Sequence, residues 1–327
     1  VQLYYSAPQG RLGKPARALG AFAKTRCLQP GETQQVTLRL AADSMASYDD
    51  TGKIAKSAYV MEAGEYRFYL GNSVRNTEKV SFVYKEEADR VVLVLKERVA
   101  PRQLAKRMLA DGSFEELPVQ AECKAERFPG FVEGNPPHKG HWEGDTTANE
   151  RGADAPEKKI MLMDVVNGDA SMEEFLAQLT NGQLIDLLCG QPNTGVANTF
   201  GMGNLPEYGV PNLMTADGPA GVRIRPGLGV CTTAWPCATL LACTWNPDLV
   251  YEIGAAGARE MKENNLGIWL TPAMNIHRSP LCGRNFEYYS EDPLIAGKMA
   301  AAKVNGIQSE HIGASIKHFA CNNTVSY

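Results

Sequence analysis

The 327-residue sequence contains no run of about 18 apolar residues, so no transmembrane helix can be read from it. It also lacks a charge excess of either sign: 33 basic against 37 acidic residues leave a formal net charge of −4. That balance excludes the strong basic field of a nucleic-acid binder and the acidic block of a disordered tail. No collagen, heptad or low-complexity bias is present. Histidine is scarce, at five residues. His138 and His141 stand close together in PPHKGHW without a neighbouring cysteine or acidic pair, which favours a solvated loop over a metal site. The eight cysteines (Cys27, Cys123, Cys189, Cys231, Cys237, Cys243, Cys282 and Cys321) include no CxxC pair and are too sparse for a disulfide scaffold. They read as mostly free, buried thiols in a reducing, cytoplasmic setting. No signal segment is visible; the chain opens on Val1 in VQLYYSAP, already in a strand pattern.

What is present is enough chain for two domains, and it changes character along its length. Residues 1–97 are strand-like. Gln34–Leu40 and Gly64–Leu70 alternate, the second with Tyr66, Phe68 and Leu70 on one side, and Val80–Tyr84 and Val91–Leu95 follow. Pro30-Gly31, Asp49–Gly52 and Gly71-Asn72 supply turns between them. Short strands at this spacing predict a β-sandwich. Residues 98–160 are charged and rich in Pro and Gly, which predicts a linker or long surface loop whose Phe128, Phe131 and Trp142 pack on a neighbouring surface.

From Ser171 the apolar period becomes helical. Ser171–Glu174 is a capping box, followed by Phe175, Leu176, Leu179, Leu184, Leu187 and Leu188. Asn246-Pro247 and Asp292-Pro293 are two further helix starts, the first with Leu249, Val250, Ile253 and Met261 facing inward. Between them lie the apolar runs Pro211–Thr215, Gly267–Thr271 and Gly313–Ile316, which predict buried parallel strands. Each runs into polar residues at its carboxyl end, the active face of an α/β barrel or open α/β sheet. Only three such strands are present, against about eight in a closed barrel.

The richest chemistry lies in NIHRSPLCGRNFEYYSEDP, residues 275–293. His277, Arg278, Arg284, Glu287, Glu291 and Asp292 alternate there with Phe286, Tyr288 and Tyr289. Charged groups that bond hydroxyls, beside rings that cover an apolar C–H face, suit a sugar. The plain alternative is a surface loop held by Arg–Glu pairs. Asp217, before Gly218-Pro219, is either a site residue or a turn cap. His318 taken alone reads as structural, but a Lys317-His318 pair at a strand's carboxyl end is harder to dismiss. The Asn322-Asn323-Thr324 sequon reads as accidental.

These strings carry a resemblance. PNLMTADGPAGVR, GRNFEYYSEDP and IGASIKHFACNN resemble the first part of the catalytic barrel of family 3 glycoside hydrolases, most closely their β-glucosidases. LQPGETQQVTLRL and AGEYRFYLGNS resemble the fibronectin type III-like domain of the same family. The implied architecture is multidomain: a fibronectin type III-like β-sandwich over 1–97 with its first strand missing, a linker over 98–160, and the amino-terminal portion of a (β/α)8, TIM-like barrel over 161–327. The usual order, barrel first, is inverted.

The resemblance implies that Asp217, Arg284, Lys317 and His318 bind sugar hydroxyls at the −1 subsite, and that Glu287 and Glu291 orient Arg284 and its loop. It implies a retaining enzyme with an Asp nucleophile in an SDW-like motif and a Glu acid/base in an α/β sandwich. Neither is found here, so no catalytic residue is expected in this chain, and the chain is expected to be part of a longer polypeptide or of a nicked enzyme and inactive alone. The expected partners are a β-glucoside or oligosaccharide and the rest of the same enzyme, with no nucleic acid, membrane or cofactor. Ala320–Asn323 replaces the PGHG string of the family's β-N-acetylglucosaminidases, which argues against a catalytic histidine of that type. A β-xylosidase and a non-catalytic carbohydrate-binding module are the competing readings.

Overall fold

A computed structural model describes residues 1–96, 104–118 and 158–323. Two compact units divide the chain, Val1–Val132 and Glu133–Tyr327. The histidines and aromatics singled out between 128 and 142 lie outside the described residues.

The first unit is built of antiparallel strands. β1 (Gln2–Ser6), β2 (Ala18–Phe22), β3 (Ser47–Asp49), β4 (Ala58–Met61), β5 (Gly64–Gly71), β6 (Thr77–Glu86) and β7 (Arg90–Val94) form two sheets, ordered β2-β1-β5-β6 and β3-β4-β7. The alternating residues of β5 place Tyr66 and Phe68 inward, where they meet Met45, Met61, Leu3, Tyr5 and Tyr84. Leu70, expected on the same side, is at the strand's end and exposed. Gln34–Leu40 keeps its alternation, with Val36, Leu38 and Leu40 half-buried between exposed neighbours, yet has no strand ladder among the described residues. A period-2 pattern reports which face is covered; a strand also needs a partner for its backbone. The described part of the expected linker holds a hairpin, β8 (Lys106–Met108) with β9 (Phe114–Glu116), turned at Asp111-Gly112. Beneath Gly10–Gly13, Lys14 and Glu62 form a buried ion pair, and Glu62 also accepts the amides of Arg11 and Leu12 at 2.6 and 3.2 Å.

The second unit begins with three short helices, α1 (Leu162–Asn167), α2 (Met172–Ala177) and α3 (Asn181–Leu188). The Ser171 capping box is formed: Ser171 Oγ accepts the Glu174 amide at 3.1 Å while Glu174 accepts the Ser171 amide at 2.8 Å. A second box, Thr180 with Gln183, breaks the apolar run into two helices. That break turns Leu188 out to 89% exposure, whereas Phe175 and Leu179 are buried. A hairpin, β10 (Gly201–Leu205) with β11 (Val210–Ala216), leads into the parallel strands. After α4 (Ala238–Ala242) and α5 (Pro247–Glu263) comes β12 (Ile268–Trp269), and after α6 (Pro293–Ser309) comes β13 (Gly313–Ala314). Sheet order is β10-β11-β12-β13, with β11, β12 and β13 parallel as their apolar runs predicted, and no barrel closes among the described residues.

Asn246 and Asp292 cap α5 and α6, each with Pro at the first helical position. Val250, Ile253 and Met261 of α5 are buried; Leu249, in the helix's first turn and at the flank of that face, is exposed. The core lies between sheet and helices, with Trp269, Met214, Ala216, Met261 and Ile307 at its centre. α5 and α6 approach closely at glycines: a Cβ on Gly306 would stand 2.1 Å from the Tyr251 carbonyl oxygen, and one on Gly254 2.6 Å from that of Lys303. The described cysteines are free, but the expectation of burial fails: Cys282 is buried, and Cys27, Cys189, Cys231, Cys237, Cys243 and Cys321 are exposed.

Candidate active site

Three parallel strands end on one side of the sheet, and the polar residues that follow them meet there. Asp217 is the first residue beyond β11. Its backbone N–H donates to Asn198 Oδ1 at 3.0 Å, and its carbonyl accepts the Arg223 amide at 2.9 Å. The chain then turns through Gly218 at φ 107°, where a Cβ would stand 2.0 Å from the Gly221 carbonyl oxygen. Only glycine fits such a turn.

Lys317 Nζ donates to Asp217 Oδ1 at 2.5 Å, and Arg223 Nη1 to Oδ2 at 2.9 Å. Burial acts to raise the Asp217 carboxyl, but the bonds from Lys317 and the Gly218 amide and the charges of Lys317 and Arg223 outweigh it and hold it below the usual carboxylate range. Asp217 is therefore an anion at neutral pH, able only to accept.

His318 follows Lys317 and binds the other half of the cluster. Arg284 Nη2 lies 2.9 Å from His318 Nε2, and Tyr288 Oη lies 3.1 Å from His318 Nδ1. A guanidinium has no acceptor, so Nε2 must accept and Nδ1 must carry the ring proton. That proton points to Tyr288 Oη, whose own hydrogen goes to the Asn322 carbonyl at 3.1 Å. The imidazole is thus neutral. Burial, then the Arg284 charge, lowers its pKa below the ordinary histidine value. Asn275 Nδ2 holds the His318 carbonyl at 2.9 Å, and Glu287, almost fully buried, forms the ion pair with Arg284.

Asp217, Lys317 and Arg223 form one bonded group and His318, Arg284 and Glu287 another, and the adjacent Lys317 and His318 bring the two into one cluster. Glu291 does not join it. It is exposed and borders a separate cavity of about 240 Å³ that includes His277 and Trp245. Arg284 pairs with Glu287, so the expected role of Glu291 in orienting Arg284 has no contact behind it. Nor do Tyr288 and Tyr289 offer faces to a ligand: both are buried, the first positioning His318 and the second packed inside. Phe286 is exposed beside a cavity of about 220 Å³ that Gly218–Gly221, Arg223 and Glu287 also line. Sequence reasoning missed Arg223, Tyr288 as an anchor, Asn275 and Asn322. Arg223 had a signal, a cation soon after the Asp217-Gly218 turn; Asn275 and Asn322 act through carbonyl contacts that no spacing marks.

Residues 158–326, just over half the chain, match the glycosyl hydrolase family 3 N terminal domain, and residues 1–74 match the fibronectin type III-like domain. The chain is 54% identical to beta-glucosidase A of Butyrivibrio fibrisolvens over all of its own length and 40% of that protein. It is 38% identical to a beta-glucosidase of Ruminococcus albus over 99% of its length and 33% of that protein. A solved beta-glucosidase from Paenibacillus barengoltzii, 41% identical, superposes with a TM-score of 0.77 over 98% of this chain and 35% of that one. The chain thus spans well under half the length of these relatives. With three parallel strands feeding one polar cluster and a family match over residues 158–326, the chain belongs to glycosyl hydrolase family 3, its fibronectin type III-like domain preceding the family's N terminal domain.

Proposed function

We propose that this chain supplies the hydroxyl-binding half of the −1 subsite of a retaining β-glucosidase that removes terminal β-D-glucosyl residues. The observation that carries the reading is the network at the strand ends: an anionic Asp217 paired with Lys317, and Arg284 locked to a neutral His318. An anion accepts from sugar hydroxyls, a cation and a guanidinium donate to sugar oxygens, and the bracing by Glu287, Tyr288 and Asn275 keeps them in place before substrate arrives. The beta-glucosidase names of the full-length relatives support the choice of sugar. On this reading the nucleophile and the acid/base come from the remainder of the enzyme; the chain spans 40% of the Butyrivibrio fibrisolvens beta-glucosidase A.

In such an enzyme one carboxylate attacks the anomeric carbon while another protonates the leaving oxygen; water later cleaves the glycosyl-enzyme. The residues of this chain would bind more tightly as the ring flattens toward the oxocarbenium-like state, which is how hydrogen bonds to hydroxyls become rate. Loss of one charge-assisted bond of this kind costs on the order of 2–4 kcal/mol of transition-state stabilisation. Asp217→Ala in the full-length enzyme is therefore expected to lower kcat/KM on an aryl β-glucoside about 100-fold or more; an unchanged value overturns the reading. Hydrolysis of the aryl β-glucoside by the full-length enzyme but not by this chain alone separates the β-glucosidase from the binding module, and slower reaction of the aryl β-xyloside separates it from the β-xylosidase.

A further inference from the structure

Lys303 is the one described lysine or arginine whose side chain reaches the middle of the second unit's core. It stands on the inner face of α6 at 2% exposure, and no carboxylate among the described residues pairs with it. Burial pushes its amine down to about 7. An unpaired buried lysine is costly, and an apolar residue of the same length would fill the space without that cost. What Lys303 touches is the loop that carries Asp217. Its Nζ donates to the Pro219 carbonyl at 2.5 Å and sits 4.8 Å from the centre of the Trp269 ring. Trp269 in turn donates Nε1 to the Gly218 carbonyl at 3.0 Å. Two consecutive carbonyls, directly after Asp217, are thus gripped from below by two buried donors on different elements.

We propose that Lys303, with Trp269, is a positioning residue for Asp217: it fixes the Gly218-Pro219 backbone and so sets where the Asp217 carboxylate meets a ligand. The proposal rests on the reading of Asp217 as a hydroxyl-binding residue. It asks of the core something packing does not require. Gly218 and Gly221 have positive φ, so the loop has no side-chain bulk of its own at those turns to hold its path. A 1 Å drift at Asp217 matters to the reaction far more than to the fold.

The test is a double-mutant cycle in the full-length enzyme, with kcat/KM on an aryl β-glucoside and thermal stability both measured. Lys303→Met keeps the length and removes the donor. It is expected to lower kcat/KM about tenfold or more without lowering stability, and to lose less than about threefold when placed in the Asp217→Ala background. Hydrogen exchange over residues 217–223 is expected to speed up in Lys303→Met. No loss of kcat/KM, or the same loss in both backgrounds, overturns the proposal. A normal rate for Asp217→Ala by itself would instead defeat the site reading on which it stands. Should Lys303→Met not fold, Trp269→Phe, which removes the second donor, runs through the same cycle with the same two outcomes.

Discussion

Arg284 and His318 show how a single protonation state is written into side-chain geometry. A protonated ring would turn Nε2 into a donor facing the Arg284 donor, so acid breaks the 2.9 Å contact as well as adding like charge. The linkage has a definite sign. The folded pKa lies below the ordinary value of about 6.5, so above that pH neither state holds the extra proton. As pH falls through it, the unfolded imidazole protonates first and stability is lost until the lower, folded pKa is passed. Urea midpoints are expected to fall over that window in the wild type and to fall less in His318→Gln; equal slopes would remove the role given to burial and to Arg284. At this scale charge after a buried run marks Asp217 and the Lys317-His318 pair, and the resemblance adds Arg284 and Glu287, which stand in the same cluster. It misled where composition stood in for exposure. Tyr288 and Tyr289 look like sugar-stacking rings in GRNFEYYSEDP and are buried, and Glu291, four residues from Glu287, faces another cavity.

Elements were read through their start signals more reliably than through their apolar content. Asn246-Pro247 and Asp292-Pro293 set the first residues of α5 and α6, because a cap and a missing amide act locally. The hairpin β10–β11 and the break between α2 and α3 were not visible, since both depend on pairing or capping that competes with an equally apolar continuation. Gln34–Leu40 failed for the opposite reason: the pattern is there and the ladder is not. The α5–α6 packing depends on residues that carry no pattern at all. Gly306 lets the helix backbones meet, and its absent Cβ would lie 2.1 Å from the Tyr251 carbonyl oxygen. Gly306→Ala is therefore expected to destabilise the second unit by about 1–3 kcal/mol through overpacking, despite alanine's better helix propensity. A denaturation midpoint equal to or above that of the wild type would mean the helices separate without cost.

For the whole molecule, the strand-rich first part and the α/β second part follow from hydrophobic period alone, and the family follows from a few strings. Among the described residues β13 is the last strand of its sheet, and Phe319 beyond it is 81% exposed. An open parallel edge of this kind is ordinarily covered by further strands and helices. The chain spans 40% and 33% of its two curated relatives. The most direct measurement is diffraction from crystals of the full-length enzyme soaked in glucose. A pyranose whose hydroxyls lie within hydrogen-bond distance of Asp217, Arg284, Lys317 and His318 together is expected. Glucose bound elsewhere, with that cluster touching no sugar oxygen, would contradict it.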